Sequence, residues 1–153
     1  VLKLIADAKN NGHEILLDGR SACREHGYYV GPTIFANVPN DSKLAQTEVF
    51  GPVVSTEAWD DDEEVICKAN DTIYGLAAGI WSKDVGKAMR ISDKIEAGTI
   101  YINNYFNAAT QSPVGGFKQS GYGRESGWEG MRGFMQTKSV WLSTAPFQPD
   151  PFD

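Results

Sequence analysis

Hydrophobic positions along the first half of the chain change period several times, and each change marks an element. Val1, Leu4, Ile5 and Ala8 recur at the helical spacing, and Asn10-Asn11-Gly12 supplies a stop, so the chain opens as a helix. Glu14 to Asp18 is a short apolar-centred strand ended by Gly19. Residues 28–38 are rich in β-formers but carry Gly31-Pro32, which suits an edge or bent strand better than a central one. From residue 53 the pattern is regular. Val53 to Trp59 reads as a strand and Asp62 to Ala69 as a helix with Val65, Ile66 and Ala69 on one side. Leu76 to Trp81 is a continuous apolar strand, Asp84 to Ile95 a second amphipathic helix, and Thr99 to Asn103 another strand.

Strand, helix, strand, helix, strand with short connections predicts an α/β fold with a parallel sheet. The lack of alternation in Leu76 to Trp81 predicts a strand covered on both faces. Residues 104–127 break the regularity with five glycines and no hydrophobic period, the mark of a functional or mobile connection. A short helix from Trp128 to Met135 follows, then a strand from Gln136 to Ser143 and a proline-rich tail. The expected division is a main body over 1–135 and a terminal strand with its tail over 136–153.

Composition narrows the partners. With 41% hydrophobic and 22% charged residues over 153 positions, the chain has the makeup of a folded domain. A net charge of −6 argues against nucleic acid or an anionic membrane as partner. The first residues lack signal-peptide architecture, and no apolar run reaches the length of a membrane span. The absence of an initial Met fits a fragment. Cys23 and Cys67, far apart in sequence, fit a reduced, cytoplasmic setting better than a disulfide.

Glu48-Val49-Phe50-Gly51-Pro52 precedes the strand at Val53. A carboxylate there can accept from two vicinal ribose hydroxyls, and the Phe50 ring can pack on a flat heterocycle. Taken alone, such a pentapeptide is more often just a turn. Its neighbours change the weighting. Gly27 to Thr33, Thr47 to Val53, Asn70 to Ala78, Gly98 to Asn103, Ser112 to Glu125 and Gln136 to Val140 each resemble, in the same order, a segment of the aldehyde dehydrogenase superfamily. The resemblance implies the C-terminal part of an NAD- or NADP-dependent enzyme that oxidises an aldehyde to a carboxylic acid. It implies Glu48 at the nicotinamide ribose, Phe50 and Leu76 walling the nicotinamide, and Tyr105, Phe106, Ala108 and Val114 lining the aldehyde tunnel. The family's nucleophilic cysteine, with its glutamate and asparagine, falls upstream of the matched portion, so the isolated chain is expected to be inactive.

The remaining chemistry-bearing residues have simpler readings. Cys23-Arg24-Glu25-His26 reads as a loop without oxyanion donors, and Cys67 as a buried small residue. Asp60 to Glu64 reads as N-terminal helix charge rather than a metal site. The glycines of residues 115–127 miss both phosphate-loop spacings. In the betaine aldehyde dehydrogenase subgroup, the resemblance implies a potassium site at the backbone oxygens of Lys118 and Gly121, with Glu125 as a relay. It also implies that Gln136 to Ser143 joins a sheet shared between subunits of a homo-oligomer, a dimer or tetramer. A non-catalytic module that self-associates or binds a partner through that strand is the alternative reading.

Overall fold

The computed structural model describes residues 1–22, 24, 26–144, 150 and 152. Among these residues five helices and five strands follow one another as α1 (Leu2–Asn10), β1 (Glu14–Leu17), β2 (Thr33–Ala36), α2 (Lys43–Gln46), β3 (Val53–Ser55), α3 (Asp62–Asn70), β4 (Ala77–Ile80), α4 (Val85–Ser92), β5 (Thr99–Ile102) and α5 (Gly127–Arg132). Single 3-10 turns lie at Gly19–Ala22 and Lys118–Ser120. The chain is α/β, as the alternating periods require.

Strand pairing differs from a single continuous sheet. β1, β2 and β3 form one sheet, antiparallel between β1 and β2 and parallel between β2 and β3. β4 and β5 form a second, parallel pair, from Ala77 opposite Thr99 to Ile80 opposite Ile102. β2 is therefore central, not an edge. Gly31-Pro32 ends just before Thr33, so the missing Pro32 N–H falls outside the ladder and costs the strand nothing. The first paired amide, Thr33 N–H, donates to the Pro52 carbonyl at 2.9 Å.

One core anchors the first sheet. Ile5 and Ala8 of α1, Phe35 of β2, Val38 just after β2 and Leu44 of α2 are buried together, with Ile15, Val30, Val49 and Val53 packed around them. Ile66, Ala88 and Ile91 are the buried apolar residues of the second half. β4 is not covered on both faces as its sequence suggests. Its residues alternate exposed and half-buried, Leu76 just before it is 54% exposed and Trp81 just after it is exposed too. A two-stranded sheet with helices on one side leaves the other side bare.

Local signals set the helix starts. Asp61 caps α3 by accepting from the Glu64 N–H at 2.9 Å, and Asp84 caps α4 through Lys87 N–H at 2.8 Å. The acidic run thus serves the helix end, with Asp62, Glu63 and Glu64 in the first turn. Lys68 sits between Glu64 and Glu57 at 2.7 and 3.1 Å, which raises its ammonium pKa and lowers that of Glu64. Cys67 is exposed rather than buried, because it follows Ile66 by one helical step and so leaves the buried face.

Residues 136–142 belong to neither sheet. A strand needs a neighbour for its ladder, and this segment pairs with no strand among the described residues. Val140, Trp141 and Leu142 are consequently left bare to water. The whole chain presents 11878 Å² of accessible surface, against roughly 7,600 Å² for a compact monomer of 16.7 kDa. No helix among the described residues is long and apolar enough to cross a membrane.

Candidate functional site: a cleft between the two sheets

A cleft of about 380 Å³ opens between the two sheets. Ala45, Thr47 and Glu48 wall it from the first side; Thr72, Tyr74, Leu76, Ile95 and Ser120 are among those on the second. The chain reaches it from the first side because Ser42 caps the single-turn helix α2, accepting from the Ala45 N–H at 3.2 Å, and α2 releases straight into Thr47-Glu48. Glu48 is exposed, and among the described residues no hydrogen bond or ion pair engages its carboxylate. Its oxygens are free to accept from a ligand. Leu76, 28 positions beyond Glu48 in the chain, arrives through the fold alone.

The second wall is held by the glycine-rich loop. Phe117 N–H donates to the Gly75 carbonyl at 2.8 Å, Gly75 N–H to the Ser120 hydroxyl at 3.0 Å, and Gln119 N–H to the Ile73 carbonyl at 3.0 Å. Lys118 takes a left-handed φ of 51° and sends its ammonium to the Asn70 carbonyl at the end of α3. The same ammonium pairs with Glu96 at 2.8 Å. Asn70 in turn accepts from the Glu96 N–H and donates to the Lys94 carbonyl, both at 2.8 Å. The loop is therefore a fastening that holds residues 70–76 against the turn before β5. Sequence spacing hints at none of this, since every contact spans more than twenty residues.

The other expected site residues fall in separate places. Phe50 does not line the cleft; its ring is 88% exposed and its backbone is left-handed, with φ 51°. A bulky residue held there is strained, a condition that clusters at ligand sites. Tyr105 packs against Tyr101 at 5.0 Å and stacks on Trp81 at 6.2 Å between ring centres, with Phe106 beside it at 6.3 Å. Trp81 and Tyr101 are members of this aromatic group that the sequence pattern did not single out. Ala108 is exposed in the following loop. Val114 pairs with Glu125 through two backbone hydrogen bonds of 2.8 and 2.7 Å, and Glu125 lines a wide, open hollow with Trp128, Met131 and Phe134.

Donor chemistry can be weighed against what the family implies. A free carboxylate beside an apolar wall fits the ribose and ring of a nicotinamide nucleotide. Among the described residues the Lys118 carbonyl is met only by the Gly121 N–H at 3.5 Å, a long contact that leaves acceptor capacity. An ion there would need most of its oxygens from elsewhere. Cys23 and Glu25 lie outside the described residues; Arg24 stacks over Tyr29 at 5.1 Å, and His26 is exposed.

Known proteins match this arrangement. Residues 1–140 match the aldehyde dehydrogenase family. A betaine aldehyde dehydrogenase of Bacillus subtilis (strain 168) is 45% identical over 122 residues, 80% of this chain and 25% of that protein. Among solved structures, an apo betaine aldehyde dehydrogenase of Staphylococcus aureus superposes with a TM-score of 0.91 at 38% identity, covering 99% of this chain and 31% of that one. An aldehyde dehydrogenase of Bacillus cereus in complex with NAD+ gives 0.87 at 38% identity, covering 94% and 29%. The chain thus spans between a quarter and a third of the length of these relatives. Matched nearly end to end in sequence and in backbone, the chain belongs to the aldehyde dehydrogenase family.

Proposed function

We propose that this chain is the nicotinamide-holding and tunnel-lining part of an NAD- or NADP-dependent aldehyde dehydrogenase acting in the cytoplasm. The observation that carries the reading is the meeting of Glu48 and Leu76 across one cleft. Glu48 accepts hydrogen bonds from the vicinal ribose hydroxyls, and Leu76 offers the apolar wall against which the nicotinamide lies. The bound cofactor supplies the hydride acceptor. Phe50, two residues beyond Glu48 and outside the cleft itself, is assigned to the outer rim of the nicotinamide site. Tyr105, Phe106, Ala108 and Val114 line the approach of the aldehyde, and Glu125 moves a proton near its inner end. The Lys118 and Gly121 carbonyls contribute to a potassium site in the complete enzyme.

Neither cysteine is the nucleophile in this reading. Cys67 lies exposed on α3 and lines no part of the cleft. The 153-residue chain alone therefore forms no NADH from any aldehyde and NAD+. Titration with nicotinamide mononucleotide, followed by amide shifts, tests the cleft directly. Glu48 and Leu76 are expected to move together, and Glu48→Gln to weaken binding about tenfold, the scale of one charged hydrogen bond. Binding that leaves those two residues unmoved, or an unchanged affinity in the variant, would sink the assignment. So would NADH formation by the chain alone.

A second role rests on a different observation. Val140, Trp141 and Leu142 are 79%, 93% and 85% exposed, and Phe134 is 95% exposed. Such a stripe seeks cover, and a segment from 136 to 143 that adds to a sheet of a second copy provides it, giving a dimer or tetramer. Val140→Pro removes a ladder donor and is expected to weaken self-association about tenfold or more. Analytical ultracentrifugation reads the outcome; a parent chain that sediments as a monomer at 100 μM, roughly the ceiling for a weak dimer, refutes it.

A further inference from the structure

We infer that Gln46 is a positioning residue: its carboxamide latches the two sheets together and fixes the width of the cleft between Glu48 and Leu76. Gln46 ends α2, two residues before Glu48. Its side-chain nitrogen donates to two carbonyls at once, that of Asn40 at 2.7 Å and that of Asp71 at 2.7 Å. Asn40 belongs to the turn that precedes α2, and Asp71 is the residue that caps α3 at its C-terminal end. A third bond closes the group, from the Asn40 side-chain amide to the Asp71 carboxylate at 3.1 Å.

The placement gives these three bonds their consequence. Asn40 and Gln46 travel with the first sheet and its core residue Leu44. Asp71 opens the stretch through Thr72, Tyr74 and Leu76 that forms the opposite wall. That wall is already fastened from behind by Lys118 and Ser120. What remains adjustable is its distance from Glu48, and the Gln46 latch spans that gap. A helix-end carbonyl such as Asp71's lacks an intrahelical partner, so a donor here answers a real requirement. Both bonds come from one NH2 group, hence the position needs a donor and tolerates no acceptor.

That asymmetry makes the test. Gln46→Glu keeps the shape but sets a carboxylate against two carbonyls and beside Asp71. Gln46→Lys keeps reach and donors. The reporter is the NOE between the Asn40 side-chain amide and the Asp71 β protons, both on residues left intact. It is expected in the parent and in Q46K, and lost in Q46E, while cross-strand NOEs in β2–β3 and β4–β5 stay unchanged in all three. Affinity for nicotinamide mononucleotide is expected to fall about tenfold in Q46E and to stay within about twofold in Q46K. Persistence of the Asn40–Asp71 NOE in Q46E would overturn the latch, as would equal loss in Q46K or loss of the cross-strand NOEs with it. The ligand arm rests on the proposed nicotinamide reading of the cleft. If the mononucleotide fails to perturb the parent while the NOE pattern behaves as stated, that reading falls and the latch stands.

Discussion

Gly98→Ala is expected to destabilise the chain by about 3–5 kcal/mol, near the upper end for a single substitution. A methyl built at Gly98 would lie 1.6 Å from the Gly115 carbonyl oxygen, which is backbone and cannot swing aside. Gly98 N–H is also tied to the Gly75 carbonyl at 3.0 Å, so the turn before β5 cannot retreat cheaply. Relief requires the loop at Gly115 and Gly116 to lift. Lifting it strains the Phe117 and Ser120 bonds to Gly75 and the Lys118 contacts to Asn70 and Glu96. Each is worth about 0.5–1.5 kcal/mol, somewhat more where a charge takes part. The expected fall in melting temperature is roughly 10–15 °C for a chain of this size. Gly123→Ala is the control: its methyl meets nothing within 4 Å and its backbone is not left-handed. It is expected to lie within about 0.5 kcal/mol of the parent. A Gly98→Ala chain as heat-stable as Gly123→Ala would show that the loop is not fastened where the structure places it.

That fastening also marks the limit of what could be read from the sequence. Helices α1, α3 and α4 were legible because their apolar residues repeat at the helical period and Asp61 and Asp84 stand where caps belong. The strands were legible as β-prone runs and the parallel β4–β5 pair follows from their alternation with helices, but the partner of β3 does not. Nothing local in Val53 to Ser55 distinguishes a partner in β2 from one in β4. Leu76 to Trp81 shows the cost: an apolar run implies burial on two faces, and the structure leaves one face bare. The same ambiguity misplaced β2, where Pro32 counts against a central strand only if it falls inside the ladder.

The site divides along similar lines. Glu48 could be singled out because a carboxylate before a Gly-Pro turn is a recognisable piece of nucleotide chemistry. Leu76 could be named only through the family resemblance, since an isolated leucine carries no chemical signal. Gln46 was invisible. A glutamine at a helix end is ordinary, and its role depends on a carbonyl at Asp71, 25 residues away. Residues whose work is to hold two distant segments apart at a set distance leave no pattern in either segment.

Phe35→Ala is expected to be the most damaging core substitution, and its effect should stay largely within the first sheet. Phe35 is fully buried at the centre of β2, among Ile5, Ala8, Val38 and Leu44. Truncating a buried phenylalanine costs about 3–5 kcal/mol through lost transfer energy and the cavity left behind. Against a total stability of roughly 5–15 kcal/mol, little margin remains. The buried apolar residues of the second half, Ile66, Ala88 and Ile91, belong to no cluster with Phe35. Opening of the first sheet therefore need not open the second. Native-state hydrogen exchange separates the two. Amides of β1, β2 and β3 are expected to exchange about a hundred- to a thousandfold faster, at a factor of ten per 1.4 kcal/mol, while those between β4 and β5 change less than about threefold. Uniform acceleration through both sheets would mean that they unfold as one unit, with the bonds across the cleft, Gln46 to Asp71 included, coupling them more tightly than their separate cores suggest.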